Sequence, residues 1–167
     1  CSHFAWACSS VFAAFSARCE EGLRSFERLG DLGGVAHARN TIADIARLEG
    51  DADLAEATYR QALAEFRREG DRRCEASALA NLGAVARRRA DPDRARETYA
   101  ESLAIRRDLR DLAGIAESLE GLAGAAVDSG DDERAVALFG AATEVRASIG
   151  AVLAEADRSA TQADLER

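Results

Sequence analysis

A fixed period of 40 residues constrains this chain more than any other feature. Gly50-Asp51, Ala90-Asp91 and Gly130-Asp131 fall at that spacing, and a second series of the same period, Gly30-Asp31, Gly70-Asp71, Arg110-Asp111 and Gly150, lies halfway between. Punctuation therefore arrives every 20 residues. Glycine takes the left-handed conformation that ends a helix, and the aspartate after it accepts the free backbone N–H groups that open the next. Asp91-Pro92 adds a proline at a first helical position, where its missing N–H has no partner to lose. The segments between these marks, about 18 residues each, would form roughly 27 Å of helix. A period of this size marks a stacked array of short units, none of which buries its apolar face alone. The spacing predicts helices at 12–29, 34–49, 52–69, 73–89, 92–109, 113–129, 132–149 and 153–166.

Composition agrees with helices. Alanine supplies 38 of the 167 residues and aromatics only 5%, within a hydrophobic content of 47%. Alanine is the best helix former and has almost no side chain to hold neighbouring backbones apart, so an all-α chain with closely packed helices is expected. One Pro and 13 Gly argue against a disordered or linker-rich chain. A net charge of -8 opposes contact with phosphates, so no nucleic-acid binding is expected of this segment.

The segments alternate between two kinds. One kind carries Ile42-Ala43-Asp44-Ile45-Ala46, Leu82-Gly83-Ala84-Val85-Ala86 and Leu122-Ala123-Gly124-Ala125-Ala126. The other carries Ala55, Tyr59 and Ala62-Leu63, then Ala95, Tyr99 and Ser102-Leu103, then Ala135, Phe139 and Ala142-Thr143. Small residues at 43, 83 and 123 admit a neighbouring helix, and the rings at 59, 99 and 139 fill the space beside it. In this alternation the chain resembles the tetratricopeptide repeat family, in a variant of 40 residues per repeat where the family commonly has 34. Arg39, Leu79 and Leu119 replace the aromatic expected early in the first helix, and the usual closing proline is missing. The resemblance implies a right-handed α-α superhelix of antiparallel hairpins forming a single domain over 1–167. Its parts would be a partial repeat at 1–30, repeats at 31–70, 71–110 and 111–150, and a capping helix at 151–167.

Ala137-Leu138-Phe139-Gly140-Ala141-Ala142, Arg146 and Ile149-Gly150-Ala151 also resemble the closing region of actinobacterial signal-transduction NTPase regulators of the SARP/LuxR type. That resemblance implies a DNA-binding domain and an ATPase module elsewhere in the parent. Neither is within these residues, and without any Lys no GxxxxGK[ST] phosphate loop can be completed. A start at Cys1 and the absence of Met suggest a piece of a larger protein, and arginine as the sole basic residue beside histidine fits a GC-rich coding bias.

Catalytic motifs are missing. The histidines are His3 and His37, with no GxSxG or HExxH, so no enzymatic activity and no cofactor are expected. Cys1, Cys8, Cys19 and Cys74 form no CxxC pair and no metal-ligand spacing, and Cys8 and Cys19 read as small buried hydrophobes. Ala5 to Ala17 lacks a basic flank and is too short for a bilayer, which predicts a cytoplasmic protein without a membrane span. Asp51, Asp53, Asp91, Asp93, Asp131, Asp132 and Glu133 stand in first turns, and Arg47, Arg67, Arg68, Arg87 to Arg89, Arg106 and Arg107 in last turns. Each set complements the helix dipole, and solvated helix ends are expected.

If Ile42, Leu82 and Leu122 face the core, the opposite stripe of each first helix lines a groove. It comprises His37, Asn40, Asp44 and Arg47, then Ser77, Asn81, Arg87 and Arg88, then Glu117 and Glu120. Asparagine and arginine there can hold an extended peptide by its backbone or carboxylates, although an ordinary solvent face has the same composition. The expected role is a protein-interaction module that binds a peptide or another domain of its own chain. A small-molecule inducer in the groove is the alternative. Phe4, Trp6, Val11, Phe12 and Phe15 make the N-terminal edge apolar, which would support a homodimer unless Cys1 to Ser10 folds back as a short helix over it.

Overall fold

Left-handed residues break the chain into helices at the predicted intervals. The computed structural model describes residues 2–150, with residues 162 and 166, and the side chains of residues 15–150. Among the described residues there are seven helices and no strand: α1 Ser2–Leu29, α2 Leu32–Glu49, α3 Ala52–Glu69, α4 Arg72–Arg88, α5 Pro92–Asp108, α6 Leu112–Asp128 and α7 Asp132–Ser148. Gly30, Gly50, Gly70, Gly130 and Gly150 have positive φ between the helices, and Ala90 (φ 56°) and Arg110 (φ 54°) hold the same conformation despite their side chains. Asp31, Asp51, Asp91, Asp111 and Asp131 each accept the backbone N–H three residues on, at 2.9 to 3.2 Å. One carboxylate thus satisfies a donor that the helix start leaves open.

The expected boundaries hold within two residues for α2 to α7. The first helix differs, because it starts at Ser2 rather than near residue 12 and continues unbroken to Leu29. Ser2 to Ser10 therefore continues this helix and does not fold back as a separate short one. The sequence before Gly22 offers no Gly or Pro to interrupt the hydrogen-bond ladder. The apolar face of Phe4, Trp6, Val11 and Phe12, the Cys8 side chain and the helix expected at 153–166 lie outside the described residues.

Packing divides the chain into two compact units, Cys1–Asp71 and Arg72–Arg167, with the boundary at the start of α4. In the first unit α2 packs against both α1 and α3. Its core is Val35, Ala36, Ala43, Ile45 and Ala46 with Ala55, Tyr59, Ala62, Leu63 and Phe66. Arg39 of α2 ties the three helices together: it pairs with Glu65 of α3, and its second arm reaches Glu27 of α1 at 3.1 Å. Cys19 on α1 is half-buried and its thiol free, so burial is only partial where full burial was expected.

The second unit is built around α6, which packs between α5 and α7 and also touches α4. Nine of its residues are buried, among them Gly114, Gly121 and Gly124. Small residues let the neighbours approach until large side chains interlock with its backbone. The Tyr99 ring lies between Gly83 and Gly121, so a methyl group added at Gly83 would meet it at 2.7 Å and one at Gly121 would overlap it outright.

Arg106 overturns the expectation of solvated arginines in the last turns, since it is only 4% exposed. It stands one period after Phe66 and shares that residue's inward direction. Its guanidinium donates to the Gly114 carbonyl at 2.7 Å and to Ser118 Oγ at 3.0 Å, and pairs with Glu117 at 2.8 Å. Ser102 donates to the Ala76 carbonyl at 2.8 Å, which leaves Ser118 as donor in the 3.1 Å contact between the two hydroxyls. The chain of bonds runs from Arg106 on α5 to Ser118 on α6, back to Ser102 on α5 and on to Ala76 on α4, and gives both buried hydroxyls partners, as a buried polar group requires.

Candidate functional site

The first helices carry the candidate site, and the structure distributes it over the two units. In the first unit Asn40, Asp44 and Arg47 follow at one-turn intervals on α2 and converge on Tyr59 of α3. The Tyr59 ring is fully buried. Its hydroxyl donates to Asp44 Oδ1 at 2.5 Å and accepts from Arg47 Nε at 3.3 Å, while the Asn40 amide donates to Asp44 Oδ2 at 3.3 Å. Asp44 thus orients Asn40, whose own carbonyl oxygen is buried without a partner among the described residues. His37 is exposed, and its ring meets the edge of Phe66 at 5.2 Å and 66°.

Burial pushes the Tyr59 phenol well above its ordinary value, and the hydrogen bond to Asp44 adds to the rise. A group whose folded-state pKa is raised contributes stability that is complete below its unfolded pKa, near 10 for tyrosine, and lost as pH rises beyond it. Wild type should therefore lose stability above about pH 10 by up to about 1.4 kcal/mol per pH unit for this one proton. Tyr59→Phe should lack that part of the slope, as urea unfolding at about pH 8 and pH 11 would measure. Equal slopes would show that the phenol reaches water.

In the second unit α4 supplies Ser77, Asn81, Arg87 and Arg88, and α6 supplies Glu117 and Glu120. Most of these are engaged internally. Ser77 donates to the Arg73 carbonyl at 3.2 Å. Arg87 lies over Gly124 and donates to both oxygens of Asp128, at 2.7 and 3.4 Å. Glu120 accepts two bonds from Arg146, at 2.7 and 2.9 Å. Glu117 pairs with Arg106 yet stays 56% exposed. Arg88 is exposed, and Asn81 is half-buried with no amide partner among the described residues.

Sequence reasoning missed Arg106 and Arg146 as the partners of the acidic stripe, and Tyr59 as the centre of the α2 cluster. A signal was present: Arg39–Glu65, Ala76–Ser102 and Glu120–Arg146 are all bonded at a separation of 26 residues. That is the step from one helix of a hairpin to the facing position on the other.

The fold is all-α and tetratricopeptide-like. A tetratricopeptide repeat family model matches residues 34–108, which reach from α2 to the end of α5. The crystal structure of BtubC (BKLC) from P. vanneervenii is similar to this chain with a TM-score of 0.76 and 25% identity. That match covers 87% of this chain and 61% of the other, so the chain spans less than two thirds of that protein's length. No curated protein sequence matches. Tetratricopeptide repeats generally mediate protein–protein interaction and are generally non-catalytic. No helix among the described residues is long and apolar enough to cross a membrane.

Proposed function

We propose that this chain is a protein-interaction module whose first-helix stripe takes an extended peptide or another domain of the parent protein. Asn81 carries the reading. Ser77 and Arg87 beside it on α4 are committed to internal bonds, whereas its amide keeps both a donor and an acceptor available on the surface of α4. An extended backbone presents that same pair of groups in reverse. Arg88 on α4 and the outward face of Glu117 on α6 add opposite charges that can orient a bound segment. The resemblance at residues 137–151 supports the further reading that the parent is a cytoplasmic bacterial transcription regulator, with this module as its regulatory region. The apolar residues Phe4, Trp6, Val11, Phe12 and Phe15 of the N-terminal sequence, of which Phe15 is 52% exposed, support homodimer formation.

The test selects displayed decapeptides on the immobilised chain and measures the winners by calorimetry. Asn81→Ala should weaken them about tenfold, the loss of a well-placed pair of hydrogen bonds, with the helical circular dichroism unchanged. Peptides that bind wild type and Asn81→Ala equally would overturn the stripe as the binding surface.

A further inference from the structure

The outward face of α7 is unlike those of its counterparts α3 and α5. The helix packs against α6, with Ala135 and Ala142 as its buried residues. On the opposite side Val136, Gly140, Ala141 and Ala147 are exposed, Val136 at 62%, and a methyl group built on Gly140 would meet nothing within 4 Å. The positions of Val136, Ala141 and Ala147 carry Glu56, Gln61 and Arg67 in α3, and Arg96, Glu101 and Arg107 in α5. Side chains that solvate the earlier helices are thus replaced by small apolar ones, and an exposed apolar patch rimmed by polar residues marks an interaction surface.

Charge selects the occupant. Glu133 and Glu144 are eleven residues apart, about three turns, and so lie on one line along this face. Both are exposed, and neither has a partner among the described residues. Glu133 in the first turn complements the helix dipole, whereas Glu144 stands near the other end, where the dipole gives an acid no support, and takes the place of Ala64 and Ala104. No guanidinium shares the face: Arg134 points about 100° round the helix from Glu133, and Arg146 turns inward to Glu120. Two copies paired through this face would bring four carboxylates together without a cation, so a second copy of the chain does not fit it. We propose that the outward face of α7 docks a basic amphipathic helix of a partner protein, with apolar residues against Val136, Gly140, Ala141 and Ala147 and a cationic side chain on each of Glu133 and Glu144. This surface is separate from the first-helix stripe and does not depend on it.

Fluorescence anisotropy of the 167-residue chain tests this with three labelled alanine-rich peptides of about 20 residues, long enough to be helical. The first carries two leucines and, eleven positions apart on the same helical face, two lysines; the second has glutamates for the lysines, and the third serines for the leucines. Only the first should bind wild type saturably, and more weakly as salt is raised. Glu133→Lys/Glu144→Lys should weaken it at least about tenfold, because two ion pairs become repulsions, and should bind the glutamate peptide instead. Val136→Asp should weaken it too, with the helical circular dichroism unchanged because the position is exposed. Asn81→Ala should leave the affinity unchanged, so failure of this face and failure of the stripe are read separately. Absence of saturable binding, equal binding of the glutamate or serine peptide, unchanged affinity in the charge-reversed variant, or loss of binding in Asn81→Ala would each overturn the proposal. So would a dimer of the chain that Val136→Asp dissolves, since the face would then belong to a second copy.

Discussion

Gly121→Ala should destabilise the second unit by about 3 kcal/mol, the upper range for overpacking a close-packed core. The new methyl group would overlap the Tyr99 ring, and the ring cannot withdraw because Gly83 bounds its other side. Alanine gains about 1 kcal/mol of helix propensity over glycine, which is too little to offset the clash. Tyr99→Ala attacks the same contact from the opposite direction, leaving a void where a 7% exposed ring stood, and should cost about 3 to 5 kcal/mol. The double variant Gly121→Ala/Tyr99→Ala should cost clearly less than the sum, since the methyl group then enters space the ring has vacated. Urea unfolding of the three variants checks this through their midpoints at constant slope. A wild-type midpoint for Gly121→Ala would show that the ring is not wedged between the helices.

Arg39→Leu should lower stability by about 3 kcal/mol, because it strands a carboxylate that the fold hides from water. Glu65 is 11% exposed and one of its oxygens already lacks a partner among the described residues, so Arg39 is its compensation. The other repeats indicate the remedy. Leu79 and Ile105, and again Leu119 and Val145, stand where Arg39 and Glu65 stand one and two periods earlier. The double variant Arg39→Leu/Glu65→Ile should therefore match wild type or exceed it by about 1 to 4 kcal/mol, the usual result of replacing a buried ion pair with apolar groups of similar volume. Calorimetric melting of the single and double variants separates the cases. A double variant as unstable as Arg39→Leu would mean that the pair shapes this hairpin in a way apolar residues cannot.

The helices were legible because their signals are local. A left-handed residue and a capping aspartate act within one turn, so Gly50-Asp51 and Gly130-Asp131 could be read without knowing what packs where. Ala90 and Arg110 were legible only through the period, since neither residue favours positive φ by itself. The start of α1 was misread because nothing marks it; the absence of a breaker is a weaker sign than the presence of a cap. The site was legible as a set of positions and not as a set of available groups. Whether Glu120 can meet a ligand depends on Arg146, and whether Asp44 can depends on Tyr59, both on the partner helix of the hairpin. Arg106 shows the same limit in the core, where its chemistry suggested water and its position in the period meant burial.

The bonds from Arg106 through Ser118 and Ser102 to Ala76 bear on how an interface so rich in alanine avoids sliding. Two alanine-covered helices present nearly featureless surfaces, and a shift by one turn of about 5.4 Å would exchange one methyl contact for another at little loss of apolar area. The polar chain has no such alternative, because a displaced α6 would leave a guanidinium and two hydroxyls facing hydrocarbon. The small residues therefore set how closely the helices approach, and a few buried polar side chains choose the one alignment among several that would pack almost equally well.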